Sequence, residues 1–180
     1  MQVGFIGLGT MGASFATNIQ KAGYDLIVHD IARQAAQRHI DAGAKWADSP
    51  RALAEQCDVV LTSLPGPPEV RAVATEADTG MLAGMTPGSA FYDLTPNSPA
   101  VVREIHAEFA AQGVHMLDAP VSGGPKGAAS GKLAIWVGGD EEVFNANRAP
   151  LDAMGDAVRY IGAIGAGSVA KLVHNSAGYA

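Results

Sequence analysis

The chain has 180 residues, 48% of them hydrophobic and 17% charged, with a formal net charge of −6. That length suits one well-packed α/β domain and leaves no room for a comparable second one, and the apolar content excludes disorder. A negative balance without any Lys/Arg cluster argues against nucleic acid or an anionic membrane as partner, and no apolar run approaches a membrane span.

The first residues lack the basic region and cleavage site of a secretory signal. The single cysteine, Cys57, rules out an intramolecular disulfide and suits the cytoplasm.

Val3 to Ile6 reads as a strand buried on both faces, although Gly4 lowers its propensity. It runs into Gly7-Leu8-Gly9-Thr10-Met11-Gly12, a G-x-G-x-x-G turn that opens a helix. In such a turn Gly7 permits the sharp reversal, Gly9 lets the backbone approach a pyrophosphate, and Gly12 lets the helix sit close to the strand. The orphan N–H groups of that helix attract phosphates. A second strand, Leu26 to His29, ends in Asp30, about 20 residues beyond the glycines, where a carboxylate accepts adenosine-ribose hydroxyls. A 2′-phosphate would repel Asp30, so NAD is favoured, while Arg33 nearby keeps NADP open.

Ala32 to Ala42 has helical spacing and ends at Gly43. Lys45-Trp46-Ala47 is a short strand, and Ser49-Pro50 caps and starts a helix with Leu53 on its buried side. Asp58 to Leu64 is the next buried strand, stopped by Pro65-Gly66-Pro67-Pro68 at the edge where open α/β sheets bind ligands. A helix over Glu69 to Ala77 precedes a loop with Gly80, Gly84 and Gly88. Ala90 to Leu94 is strand-like, and Thr95-Pro96-Asn97-Ser98-Pro99 leads a helix from Pro99 to Gln112. Val114 to Leu117 is a strand running into a second glycine-rich loop, Asp118 to Gly127. Lys132 to Val137 alternates as an added strand. Asp140 caps a helix extending to Met154, Ala157 to Ile161 forms a last strand, and a helix begins at Ser168. Strands alternating with helices imply right-handed crossovers and a mainly parallel sheet. The sequence stops at Ala180 within an apparent helix, which reads as the N-terminal portion of a longer protein.

Five stretches together carry a resemblance: Gly7 to Gly12 with Asn18; Leu64-Pro65; Asp118-Ala119-Pro120-Val121-Ser122-Gly123-Gly124; Gly131-Lys132-Leu133 with Val137-Gly138-Gly139; and Gly165-Ala166-Gly167-Ser168-Val169-Ala170-Lys171-Leu172-Val173-His174-Asn175. In order and spacing they resemble the β-hydroxyacid dehydrogenases, which include 3-hydroxyisobutyrate dehydrogenase and tartronate semialdehyde reductase. The resemblance implies a doubly wound Rossmann-type domain over residues 1–163. Residues 164–180 would then begin a linking helix to an all-helical domain that this chain does not contain. It implies a dinucleotide held by Gly7, Leu8, Gly9, Met11, Gly12 and Asp30, with Leu64 and Pro65 along the cleft and Thr95 near the nicotinamide ribose. It further implies that Ser122, Gly123 and Gly124 hold a substrate carboxylate, that Lys171 is the catalytic residue and that Asn175 orients substrate. The complete protein would be a homodimer or tetramer.

The expected activity is hydride transfer between a small β-hydroxy acid and NAD. Lys171, if neutral, takes the hydroxyl proton, and burial beside an oxidised nicotinamide depresses its pKa. Asn175, four residues on, shares its helical face. The five histidines show no metal-ligand spacing and read as structural, His174 included, so no metal is expected. The competing readings are an imine reductase-like NADPH enzyme, which typically lacks this lysine, and a cofactor-binding module without turnover.

Overall fold

Near-continuous apolar runs over Val3–Ile6, Leu26–His29 and Val59–Thr62, whose side chains point alternately to the two faces, dictate a sheet buried on both. The computed structural model describes residues 1–178. It contains β1 (Val3–Ile6), α1 (Gly12–Lys21), β2 (Leu26–His29), α2 (Arg33–Asp41), β3 (Lys45–Trp46), α3 (Pro50–Ala54), β4 (Val59–Thr62), α4 (Pro67–Thr75), β5 (Ala90–Asp93), α5 (Pro99–Ala110) and β6 (His115–Asp118). These are followed by β7 (Val121–Ser122), α6 (Gly124–Ser130), β8 (Ala134–Gly138), α7 (Glu141–Asn147), α8 (Ala149–Asp152), β9 (Ala157–Gly162) and α9 (Ala166–Gly178). The sheet order is β3-β2-β1-β4-β5-β6-β8-β7, with β9 added beside β8. From β3 to β6 all pairing is parallel; β8 runs antiparallel to β6 and β7. The expected mainly parallel, doubly wound α/β sheet is the observed one.

Successive strand residues feed opposite cores. Val3, Phe5, Val28, Leu61 and Tyr92 pack on one face, and Ile6, Ile27, Val60 and Phe91 on the other. Gly4, unfavourable by propensity, has a packing reason: a Cβ there would strike Leu53 of α3, with the Cys57 sulfur 2.9 Å away. Cys57 fills that corner, and burial pushes its thiol pKa up to about 12, which leaves it unreactive.

Three departures from the sequence expectation have a clear physical reason. The helix expected from Asp140 to Met154 is broken into α7 and α8, because Pro150 has no N–H for the carbonyl four residues back and its ring crowds that turn. The helix expected from Glu69 begins at Pro67, since prolines at the first helical positions forfeit only N–H groups that are orphans anyway. The second glycine-rich stretch is no loop throughout. Val121 and Ser122 pair with β8, and Gly123 and Gly124 (φ +131° and +59°) turn the chain into α6. The predicted caps at Ser49 and Asp140 form, Ser49 accepting from Ala52 N–H and Asp140 from Glu142 and Val143 N–H. The expected helical chain end at Ala180 lies outside the described residues.

Candidate active site

The chain winds from β1 outward to β2 and β3, then crosses back to β4, so the sheet's switch point lies between the carboxyl ends of β1 and β4. Gly7 stands there with φ +92°, its N–H donating to His29 carbonyl at 3.0 Å, while Ser63 N–H donates to Ile6 carbonyl at 3.0 Å. A Cβ on Gly7 would collide with Ser63 carbonyl, and one on Gly12 with Gly7 carbonyl, so only glycine lets α1 come this close. Asp30 clips the turn to the end of β2: its Oδ2 accepts from Leu8 N–H at 2.7 Å and its Oδ1 from Ala32 N–H at 2.8 Å.

A cleft of about 550 Å³ opens over this turn. Gly7, Gly9, Met11, Gly12, Asp30, Leu64 and Pro65 all line it, together with His29, Ile31 and part of α4. Leu8, expected among the cofactor contacts, does not line the cleft: its N–H is taken by Asp30 and its side chain is buried in the core. Two observations fit a pyrophosphate in this cleft. The N-terminus of α1 carries no side-chain cap, and a Cβ on Gly9 would meet nothing within 4 Å. Gly9→Ala is therefore expected to weaken NAD binding at least tenfold by occupying that space, while unfolding stability moves within about 0.5 kcal/mol. Calorimetric titration beside urea unfolding checks both.

Arg33 is drawn away from Asp30. Its guanidinium lies 5.2 Å from the Trp46 ring centroid and 3.9 Å from Asp48. Asp30 thus lines the cleft without a cation within ion-pair distance among the described residues.

A second cavity, about 250 Å³, lies at the same carboxyl edge. Lys171 and Asn175 share its wall with Pro67, Asn97, Pro120 and Ser168. Burial lowers the Lys171 pKa below the ordinary lysine value. The β4–α4 turn connects the two cavities, giving Leu64 and Pro65 to the first and Pro67 to the second. Thr95 is at this edge but lines neither cavity. Its hydroxyl accepts from Leu64 N–H at 3.0 Å, which fixes the wall from behind.

Ser122, Gly123 and Gly124 do not line the lysine cavity either. Ser122 Oγ instead lies 3.1 Å from His174 Nε2, and His174 packs on Trp136 with ring centroids 4.9 Å apart. The bond ties His174, read from the sequence as structural, to Ser122. His174 does not line the cavity of Lys171 and Asn175, yet it and Lys171, three residues apart on α9, both lie against Trp136.

Two buried carboxylates that sequence reasoning missed hold this arrangement. Asp118, at the end of β6, accepts from Gly165 N–H at 2.7 Å and Ser168 N–H at 2.6 Å, pinning the start of α9; burial raises its pKa against these bonds. Asp93, at the end of β5, takes hydrogen bonds from Thr62 Oγ1 and Thr95 N–H, both at 3.0 Å, and from Asn97 Nδ2 at 3.5 Å. The readable signal was an acidic residue closing an otherwise apolar strand on the ligand edge.

Burial pushes Asp93 up to about 6 from its usual 3.8. A carboxyl whose folded pKa is raised stabilises the fold fully below its unfolded pKa, and loses that contribution as pH rises through the folded value. Stability is therefore expected to fall by about 2 kcal/mol between pH 4 and pH 7, with Asp118 acting in the same direction. Urea unfolding at several pH values checks this, and Asp93→Asn should flatten the slope.

A family model described as the NAD binding domain of 6-phosphogluconate dehydrogenase matches residues 2–162. The chain belongs to that family. This NAD-binding domain has relatives that include a serine dehydrogenase and 3-hydroxyisobutyrate dehydrogenases. It is 43% identical to an NAD-dependent L-serine dehydrogenase of Pseudomonas aeruginosa, over 97% of this chain and 58% of that protein. It is 41% identical to the human mitochondrial 3-hydroxyisobutyrate dehydrogenase, over 96% of this chain and 51% of that protein. A Mycobacterium tuberculosis 3-hydroxyisobutyrate dehydrogenase solved with L-serine superposes at a TM-score of 0.91 and 37% identity, covering 98% of this chain and 60% of that one. Imine reductases share the fold at 22% identity or less, a likeness of architecture alone. The domain thus spans a little over half the length of the curated relatives it matches. Among its described residues no helix is long and apolar enough to cross a membrane.

Proposed function

We propose that the protein carrying this domain oxidises a small β-hydroxy acid to its semialdehyde with NAD, or runs the reverse reduction. The observation that carries the reading is Lys171. Its amine has a pKa lowered by burial, it shares a cavity wall with Asn175, and that cavity lies one turn from the dinucleotide cleft.

The bound dinucleotide would supply the hydride acceptor. Gly7, Gly9, Met11 and Gly12 would hold its phosphates, Asp30 its adenosine ribose, and Leu64 and Pro65 the floor toward the nicotinamide. Lys171 in its neutral form takes the hydroxyl proton as hydride leaves the carbinol carbon, then returns a proton to the carbonyl oxygen in the reverse direction. Asn175 donates to a substrate oxygen without adding charge, and Ser122 with the N–H groups of Gly123 and Gly124 receives the carboxylate. Thr95 acts behind the wall, through Leu64. Asp30, with Arg33 engaged at Trp46 and Asp48, favours NAD over NADP.

Val169, Leu172 and Val173 leave α9 with an exposed apolar face, which supports α9 as the start of a link to the family's helical domain in a homodimer or tetramer. A lone buried thiol supports a reducing compartment such as the cytoplasm.

Full-length protein supplied with NAD should reduce it when given 3-hydroxyisobutyrate or L-serine, and far more slowly with lactate, whose hydroxyl is one carbon nearer the carboxylate. NAD binding with no turnover on any β-hydroxy acid would favour the cofactor-binding module instead. Reduction of a cyclic imine in preference to a semialdehyde would favour the imine reductase.

A further inference from the structure

We propose that His174 is a positioning residue, setting the direction in which Ser122 presents its hydroxyl to a substrate carboxylate. The inference rests on the hydroxy-acid reading above and gives one side chain of that reading a partner within this chain.

Ser122 is the last residue of a two-residue edge strand, and Gly123 and Gly124 follow it with positive φ, so little local structure restrains the hydroxyl. The restraint comes from α9. His174 Nε2 lies 3.1 Å from Ser122 Oγ, and the imidazole is itself held against Trp136 at 4.9 Å between centroids. Lys171 Nζ stands 6.0 Å from the centroid of the same ring, one helical turn earlier. Trp136 is thus a shared platform, and His174 ties the β7–α6 turn to the helix that carries the lysine.

Direction matters because a serine has one proton to give. If Nε2 carries a hydrogen, it donates to Oγ, and the serine hydrogen remains free for a carboxylate oxygen. If Nε2 is bare, it takes that hydrogen, and oxygen lone pairs face the anion. Productive binding requires the first arrangement, so the Nε2–H form is the one His174 holds ready before substrate arrives.

The test uses full-length protein with NAD and 3-hydroxyisobutyrate. His174→Ala should raise KM for the hydroxy acid about tenfold, the worth of roughly one hydrogen bond to a charged group, with kcat and NAD affinity changed less than twofold. His174→Gln, which presents an amide N–H at similar reach, should restore most of the loss. In a Ser122→Ala background His174→Ala should add almost nothing, because both act through one hydroxyl. Substrate-free nitrogen NMR of the imidazole should show a protonated Nε2 whose shift moves on Ser122→Ala. Additive losses, an equal loss with glutamine, or an Nε2 signal indifferent to Ser122 would overturn the proposal. Wild-type protein that turns over no β-hydroxy acid, with the Ser122-dependent signal intact, would sink the functional reading beneath it.

Discussion

Lys171→Ala is expected to slow hydroxy-acid oxidation by about 100- to 10,000-fold, the range a positioned general base supplies, while NAD affinity stays within twofold. The two effects separate because the cleft lined by Gly7, Gly9 and Asp30 contains no atom of Lys171. Burial is the cause of the lysine's lowered pKa, and no carboxylate is within ion-pair distance of it among the described residues to hold the charged form. The sign of the pH dependence follows. Oxidation uses the neutral amine, so kcat/KM for the alcohol should rise with pH and level off at a value below the ordinary lysine pKa of 10.5. Reduction uses the ammonium and should fall over the same interval. Steady-state rates in both directions across pH check this, and an alanine variant retaining more than a tenth of wild-type turnover would remove Lys171 from the chemistry.

Asp118→Ala is expected to cost about 2–6 kcal/mol, since it leaves two buried backbone N–H groups, those of Gly165 and Ser168, without an acceptor. Against a typical domain stability of about 5–15 kcal/mol, that is enough to loosen α9 or unfold the domain. Asparagine should be a partial substitute at best, because its amide nitrogen would confront one of the two donors. The site has no slack to rearrange: a Cβ on Gly167 would stand 2.8 Å from the Asp118 carbonyl, and one on Gly138 would stand 2.8 Å from the Ala163 carbonyl and 2.9 Å from the Ala166 nitrogen. Loss of α9 register displaces Lys171, so activity should fall further than in variants of equal global stability elsewhere. Hydrogen exchange of the α9 amides with thermal unfolding measures the effect; unchanged protection of α9 would contradict it.

Local chemistry accounts for the parts of the fold that were readable. Gly7 to Gly12 and Asp30 are close in sequence and belong to one βαβ unit, so spacing alone brought them to the dinucleotide cleft. The caps at Ser49 and Asp140 are equally local. The break at Pro150 was legible too, but the helical periodicity running to Met154 outweighed it. What the sequence concealed were contacts between distant segments. Asp118 and Ser168 are 50 residues apart, and Ser122 and His174 are 52 apart. Those pairs meet only because β8 and β9 return the chain to the edge of β6, a topology that hydrophobic patterning does not specify. Asp93 was invisible for a related reason. Its role comes from burial among Thr62, Thr95 and Asn97, three residues whose convergence requires β4 and β5 to be neighbours. Gly4 shows the converse, a residue that looked unfavourable alone and is required by Leu53 packing across it.

Chemical rescue of Lys171→Ala by small primary amines tests the central claim most directly. In full-length protein with NAD and 3-hydroxyisobutyrate, added methylamine should restore turnover in proportion to its neutral fraction, with NAD affinity unchanged. No restoration at any amine concentration, from a variant that is folded and binds NAD, would contradict Lys171 as the base.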